Sequence, residues 1–353
     1  MNQTHRPNPF AGGCRCCADT VTLGRRGFLA GTATTLAAAA LPAAAQTAPH
    51  RIDVHHHLSP PGWVAALKKA KLDAPPVNNW TPERSLAEME RGGIATSILS
   101  MTQPALGFLN PQEAAAVARS SNEYAKSLAQ AHPGRFGLFA VLPMPYVDET
   151  LAEIAYAMDV LQADGVGFMT SYGNKWLGDP AFTPVMAELN RRKAVAYTHP
   201  NNSDCCINLV NLPPTLIEYG TDTTRTIASL IFTGASAKLP DVKFIFSHAG
   251  GTITSLTERF TVQIVATPEY KAFTGAGVMA ELQRFFYDTA QASNPIALAS
   301  LTKMVDTSQI LFGTDYPYRT APEQVRGLQE MFSPQALQMI ERGNAQRLMK
   351  HWA

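Results

Sequence analysis

From residue 51 onward, short apolar runs alternate with longer amphipathic segments, and this alternation constrains the fold more than any other feature of the sequence. The apolar runs are rich in β-branched and aromatic residues, which is typical of buried strands. The segments between them are long enough for helices, and several begin with proline. Eight strand candidates follow one another along the chain: 51–58, 94–101, 136–142, 166–169, 194–199, 242–248, 285–288 and 309–313.

Helices are predicted between and after these strands. One has clear boundaries, because Thr81 is a good N-cap, Pro82 suits the first helical position and Gly92-Gly93 ends the helix. The alternation predicts an α/β fold, a TIM (β/α)8 barrel in a single domain with loop insertions. A doubly wound open sheet is the structural alternative. The predicted helices are 60–71, 82–92, 111–132, 148–161, 180–192, 221–238 and 334–349.

The first strand candidate carries three consecutive histidines. In a strand, side chains two residues apart point to the same face, so His55 and His57 form a chelating pair and His56 faces away. A polar loop or a tag-like cluster is the other interpretation. A tag is disfavoured because the histidines follow an apolar strand pattern about fifty residues into the chain. A metal site is therefore predicted here, if further ligands follow downstream.

Further metal-competent side chains end other strand candidates. His199 ends the fifth, His248 ends the sixth and Asp315 follows the eighth. In a TIM barrel these strand ends meet at one rim, where active sites form. Three imidazoles and one carboxylate suit a divalent metal with an open position. The remaining histidine could act as an acid or base, because imidazole titrates near neutral pH.

The first 45 residues differ from the rest and are predicted to be a cleavable twin-arginine signal peptide. Arg25 and Arg26 precede an Ala- and Thr-rich stretch that ends in Ala43-Ala44-Ala45, an A-x-A cleavage pattern. A membrane anchor is disfavoured because this stretch is weakly apolar and contains a proline. Export predicts a periplasmic location, with residues 46–353 as the catalytic domain.

Charge and cysteine content narrow the possible partners. The formal net charge of +1 over 353 residues argues against nucleic acid or an anionic surface as a main partner. The predicted leader takes three of the five cysteines, which leaves Cys205 and Cys206. Adjacent cysteines cannot form an ordinary structural disulfide. Free thiols are favoured over a strained vicinal disulfide.

Beyond these patterns, the chain resembles a known family. It is similar to the amidohydrolase superfamily (amidohydrolase 2 type) and to its metal-dependent decarboxylase branch, which includes the 6-methylsalicylate, γ-resorcylate and aminocarboxymuconate-semialdehyde decarboxylases. The resemblance covers nearly all of the mature chain. The matching motifs are DVHHH (53–57), LP (142–143), GDP (178–180), YTHP (197–200), FSHAGG (246–251), YDTA (287–290), GTDYP (313–317) and GNAQRL (343–348).

The resemblance implies roles for individual residues. It makes His55, His57, His199 and Asp315 the metal ligands, and it makes His248 and Asp315 the catalytic pair. It also implies a substrate-binding arginine eleven residues after His248, which is Arg259, reaching into the site of a neighbouring subunit. A homodimer or dimer-based oligomer is therefore expected.

Two further expectations come from the family pattern. Arg84 lies near the position where some relatives carry a substrate-binding arginine. Two-metal members usually have a lysine at the end of the fourth strand, but Gly167-Phe168-Met169-Thr170 offers none and Lys175 comes later. One divalent ion, Zn²⁺ or Mn²⁺, is expected.

The leading hypothesis is non-oxidative decarboxylation of a hydroxylated aromatic or related unsaturated carboxylic acid. The metal would stabilise negative charge, a proton would add to the carboxyl-bearing carbon, and carbon dioxide would leave. Hydrolysis or hydration of a lactone, ester or amide on the same site is the alternative. A periplasmic binding protein without catalysis ranks lower, because His248 lies beyond a complete ligand set.

Overall fold

Eight parallel strands form one sheet in the computed structural model, which describes residues 49–202, 211–271, 274 and 276–352. Neighbours in the sheet are also neighbours along the chain. The predicted leader and Cys205 and Cys206 lie outside the described residues, so those expectations stay predictions. The strands, labelled β1 to β8, are Arg51–His57, Ile94–Ser100, Phe136–Val141, Gly165–Met169, Val195–His199, Lys243–Phe246, Phe286–Asp288 and Ile310–Leu311.

Hydrogen bonds between β1 and the segment directly after β8 bring the two ends of the sheet together into a nearly closed barrel. The Val54 amide donates to the Phe312 carbonyl at 3.0 Å, and the His57 amide donates to the Tyr316 carbonyl at 2.9 Å. The Asp315 amide donates to the His55 carbonyl at 2.8 Å. An open sheet would leave these edge groups without strand partners. The coarser prediction, a TIM-barrel-like α/β fold, is therefore confirmed over the doubly wound alternative.

Helices follow the strands and cover the outside of the barrel. Proline occupies the first turn of many of them, where its missing amide costs no hydrogen bond. Among the described residues, no helix is both long and apolar enough to cross a bilayer. The helices, labelled α1 to α14, are Pro61–Ala70, Pro75–Asn78, Pro82–Gly92, Pro111–Ala131, Val147–Asp159, Thr183–Arg192, Glu218–Phe232, Ile253–Ala266, Pro268–Lys271, Val278–Arg284, Pro295–Met304, Ala321–Gln329, Pro334–Gln338 and Asn344–Leu348.

Several boundaries differ from the sequence prediction. The predicted helix 334–349 is divided into α13 and α14 by a π-helical turn, Met339–Gly343. The sixth strand ends at Phe246, so His248 lies in a separate 3-10 turn, His248–Gly250. The eighth ends at Leu311, so Asp315 lies in the following loop. Helix α2, helices α8 to α12 and a two-stranded hairpin, Ser171–Tyr172 with Lys175–Trp176, were not predicted.

The barrel interior is filled by one apolar cluster. Ile52 and Val54 of β1 pack there with Phe139, Tyr197 and Ile245. The rings of Phe139 and Tyr197 stack with their centroids 5.2 Å apart. Residues from α14, together with the partly buried Trp352, pack on the same cluster. The interior is thus a packed core that supports the strand ends from below.

The two glycines of β4 provide a matched test of how closely this strand packs against its neighbours. A Cβ added to Gly165 would lie 2.5 Å from the Val195 carbonyl oxygen, whereas a Cβ added to Gly167 would approach nothing closer than 3.6 Å. We expect Gly165→Ala to lower the free energy of unfolding by about 1–3 kcal/mol, because strand backbones cannot easily move apart. Denaturant titration of both variants measures this. An equal loss in Gly167→Ala would contradict the steric explanation.

Candidate metal centre and cavity

The two predicted chelating histidines of β1 do point into the top of the barrel. The ring centroids of His55 and His57 are 4.9 Å apart. The pairing of β1 with β2 shifts register between Asp53 and His56. Such an irregularity re-aims side chains near sites. It allows both Val54 and the two histidines to face the interior.

His56 faces the other way, as the sequence predicted. Its Nδ1 pairs with Asp53 Oδ2 at 3.0 Å and its Nε2 with Ser85 Oγ at 2.6 Å. Asp53 also accepts a hydrogen bond from the Thr314 hydroxyl at 2.6 Å. His56 therefore helps to hold β1 against the loop that carries Asp315.

The structure brings four buried donor residues together: His55, His57, His199 and Asp315. Their ligand atoms lie within 4.8 Å of one another. Asp315 Oδ1 is 3.1 Å from His55 Nε2 and 2.9 Å from His57 Nε2. Three imidazole nitrogens and one carboxylate oxygen at this spacing fit a single divalent ion.

Each of the three histidines is oriented by a partner on its Nδ1. His55 Nδ1 is 2.8 Å from Asp288 Oδ2. His57 Nδ1 is 3.3 Å from the Ser100 carbonyl, and His199 Nδ1 is 2.9 Å from the Pro200 carbonyl. An Nδ1–H that donates outward leaves Nε2 as the inward lone pair. Metal-binding histidines need this arrangement, so these residues fit a single divalent ion.

At three of the four donor residues, the pKa shifts favour the protonation state that a metal ligand needs, a neutral imidazole or an ionised carboxylate. Burial, with the nearby imidazoles of His57 and His55, holds the pKa of His199 well below its usual value. Burial likewise lowers the pKa of His57. Burial opposes the charge on Asp315, but His55 and the hydrogen bonds around it hold the pKa of that carboxyl well below its usual value.

His55 is the exception. Burial lowers its pKa, but Asp288 and Asp315 outweigh burial and raise the pKa to about 10. A cation is therefore electrostatically favoured between these two carboxylates.

The two oxygens of Asp315 face different neighbours. Oδ1 faces the Nε2 atoms of His55 and His57, whereas Oδ2 lies 3.5 Å from Nε2 of His248. The Gln291 side-chain amide also donates to Oδ2. The backbone amide of His248 donates to Asp288 Oδ1 at 3.0 Å. His248 is therefore held beside the donor cluster without being part of it.

Three of these residues have left-handed backbone conformations, which are uncommon outside glycine. The φ angles of His248, Gln291 and Asp315 are 53°, 55° and 62°. Each residue follows a different strand. Such conformations concentrate at functional sites, because the surrounding structure must compensate for their cost.

A cavity of about 410 Å³ opens above the cluster, within the usual range for small-molecule sites. His199, His248 and Asp315 line it. Two tyrosines also line it: the Tyr318 ring is 5.8 Å from the His57 ring, and the Tyr219 ring is 6.3 Å from the His199 ring. The other described lining residues are Thr102, Gln103, Thr215, Leu216, Gly220, Gln291 and Arg319.

The two arginines chosen from sequence lie elsewhere in the subunit. Arg84 is exposed near the start of α3, where its guanidinium donates to the Asn79 carbonyl at 2.8 Å. Arg259 is exposed on α8. Neither is among the described residues that line the cavity of this chain. Thr170 follows β4, and Lys175 is exposed in the hairpin.

Sequence reasoning missed several residues of the site. Asp288 fell within a matching motif but received no role, although a carboxylate at a strand end was a usable signal. Gln291, Tyr219, Tyr318 and Arg319 lie in loops or in the first turns after them. No local pattern indicated that their side chains face the cavity.

Comparisons with known proteins found matches over most of the described part of the chain. The amidohydrolase family model matches residues 52–350. A decarboxylase named macB from Penicillium terrestre is 36% identical over 304 residues, which cover 80% of this chain and 90% of that protein. The 6-methylsalicylic acid decarboxylase of Penicillium expansum is 36% identical over 279 residues, covering 76% and 85%.

A solved structure gives the same fold. The crystal structure of an amidohydrolase II superposes with a TM-score of 0.77 at 28% sequence identity. The match covers 85% of this chain and 99% of the other.

The contacts of Asp288 lead to a test of the centre. We expect Asp288→Asn to weaken metal binding by about 10- to 100-fold, because the charged acceptor for His55 Nδ1 is lost. Titration of Zn²⁺ and Mn²⁺ against a chromophoric chelator measures the affinity. Asp306→Asn is the matched control, since Asp306 lies at the opposite end of the barrel, before β8. Unchanged affinity in Asp288→Asn would refute this role.

Proposed function

We propose that this chain, which belongs to the amidohydrolase family, catalyses the metal-dependent, non-oxidative decarboxylation of a hydroxylated aromatic carboxylic acid. One observation carries the proposal: a buried three-histidine, one-aspartate cluster lies beneath a cavity with His248 beside it. The named decarboxylases at 36% identity support the same reaction.

His55, His57, His199 and Asp315 would hold one divalent ion, Zn²⁺ or Mn²⁺. When bound, such an ion acts as a Lewis acid toward substrate oxygen atoms. The outward hydrogen bonds to Asp288, Ser100 and Pro200 keep the three rings in place, so the chain meets the substrate with its ligands already oriented.

Asp315 and His248 would manage the proton. Decarboxylation adds a proton to the ring carbon that carries the carboxylate, the carbon–carbon bond breaks, and its electron pair restores the aromatic ring as carbon dioxide leaves. Asp315 and His248 both line the cavity, and His248 Nε2 lies 3.5 Å from Asp315 Oδ2. Because the pKa of Asp315 is held low, its carboxylate is ionised at rest and needs a proton from a neighbour. His248 is the neighbour that fits this role.

The cavity walls suit a flat, aromatic ligand. Tyr219 and Tyr318 border it, and burial raises the pKa of both phenols, so both remain neutral hydrogen-bond donors. Neutral tyrosines combine apolar ring contact with a polar tip. The relative named for 6-methylsalicylic acid supports a substrate of this class.

A substrate panel tests the proposal. We expect the metal-loaded protein to convert at least one hydroxybenzoate, seen as a change in ring absorbance with equimolar carbon dioxide. His248→Ala should lower kcat by about 10²–10⁴-fold, because the side chain proposed to supply a proton to Asp315 is removed, while metal content is retained. Release of acid from a lactone panel without carbon dioxide would contradict decarboxylation. Loss of metal in His248→Ala would place His248 among the ligands.

We further propose a homodimer, or a dimer-based oligomer, in which Arg259 enters the neighbouring subunit's site to bind substrate carboxylate. Arg259 is exposed on α8. Val262, three residues later on the same helix, is 57% exposed despite its apolar side chain. Residues three apart share a helix face, so an arginine and an apolar side chain lie together on this surface.

Mixed subunits test the shared site. Arg259→Ala and His248→Ala should each be inactive alone, and mixing them after reversible dissociation should restore up to about a quarter of wild-type activity. Each mixed dimer would contain one site with both residues intact. A mixture that stays inactive, although native gels show exchanged subunits, would exclude donation of Arg259 between subunits.

A further inference from the structure

One positive charge lines the cavity and has no part in the chemistry described above. Arg319 is the only lysine or arginine among the described residues that line this cavity. The turn after Asp315 fixes its position, because the Tyr318 and Arg319 amides both donate to the Asp315 carbonyl, at 2.8 and 3.1 Å. Its backbone is therefore tied to a predicted ligand residue, and Arg319 lines the cavity with its side chain 45% exposed.

The present partner of Arg319 is easily replaced. Its guanidinium pairs with Glu323, four residues later on α12. The two side chains are 45% and 40% exposed. Ion pairs exposed to this degree contribute little stability, so a ligand carboxylate can displace Glu323 at small cost. A guanidinium also matches carboxylate geometry with two parallel hydrogen bonds.

The chemistry indicates which anion Arg319 would bind. The departing carboxylate is the one proposed above to be bound by Arg259 of the neighbouring subunit, and it loses its charge as carbon dioxide forms, so a second arginine on it would stabilise the substrate more than the transition state. An arginine paired with an anion that the product keeps stabilises both equally and favours binding without opposing the reaction. The side chains of the proton-delivering groups, His248 and Asp315, are only 12% and 3% exposed, whereas that of Arg319 is 45% exposed.

We propose that Arg319 is a specificity residue that binds a second anionic substituent of the aromatic substrate, retained in the product, with Glu323 as its counter-ion in the free protein. This inference rests on the proposed decarboxylase function. Arg319 would make the protein select hydroxylated aromatic dicarboxylates over monocarboxylates. One carboxylate would be removed near Asp315, and the other would be held by Arg319.

Binding and turnover together test it. We expect Arg319→Ala to weaken binding of a hydroxybenzoate product by about tenfold by calorimetry, and to leave binding of the corresponding phenol unchanged. For turnover, kcat/KM should fall about tenfold on a hydroxyisophthalate, mainly through KM, and less than threefold on salicylate. Arg319→Lys should recover part of the loss, because it restores the charge but not the paired hydrogen bonds.

Two further variants distinguish anion binding by Arg319 from a general effect of positive charge on this surface. Glu323→Gln should tighten product binding two- to threefold, the opposite direction, because it removes the competing carboxylate. Arg326→Ala is the matched control: it removes the same charge from α12, and Arg326 is not a described lining residue. It should behave as wild type.

The outcomes are distinguishable. Equal losses on mono- and dicarboxylates in Arg319→Ala, or no loss on either, would overturn the specificity role while decarboxylation itself stands. A wild-type protein that binds the hydroxybenzoate through Arg319 but releases carbon dioxide from no substrate would overturn the proposed reaction instead.

Discussion

The structure depends on burying three imidazoles and a carboxylate against one another at the top of the barrel. Desolvation opposes such a cluster unless each polar atom has a partner. Here the outward nitrogen of every ring has one, and Asp288 alone holds both the His55 ring and the His248 backbone. The backbone bond from the Asp315 amide to the His55 carbonyl belongs to the set that closes β1 onto β8. The hydrogen bonds that bring the ends of the sheet together therefore also place Asp315 beside His55.

The part of the site that lies on or directly after strands was predictable from sequence. Side-chain direction in a strand has period two, which separated His55 and His57 from His56, and parallel strands in a barrel all end at one rim. These rules need no knowledge of loops. His199 is the last residue of β5, and it lies where they place it. The fold followed for the same reason, because the alternation of strands and helices is a local signal that extends over the whole domain.

The remainder depends on loop conformation, which short-range patterns do not determine. His248 and Asp315 lie beyond the ends of their strands, in left-handed conformations that the period-two rule does not cover. Gln291 reaches Asp315 from a third loop, 24 residues away in sequence. Arg84 shows the converse: its helix start was predicted correctly, yet its side chain bonds a local carbonyl outside the cavity. Local structure could be inferred there, but the direction of the side chain could not.

These strained loops give Asp315 a divided environment. Its Oδ1 contacts the imidazole nitrogens of β1, while Oδ2 accepts a hydrogen bond from Gln291 and faces His248. A left-handed residue costs roughly 1–3 kcal/mol, so the surrounding packing must compensate at each of three positions. The strained conformation serves the proposed chemistry, because the Asp315 carboxylate presents one oxygen to the donor cluster and the other to His248, the proposed proton source. The two oxygens diverge from one carbon, and the left-handed backbone of Asp315 fixes where that carbon lies, so that one oxygen meets the imidazoles while the other faces His248.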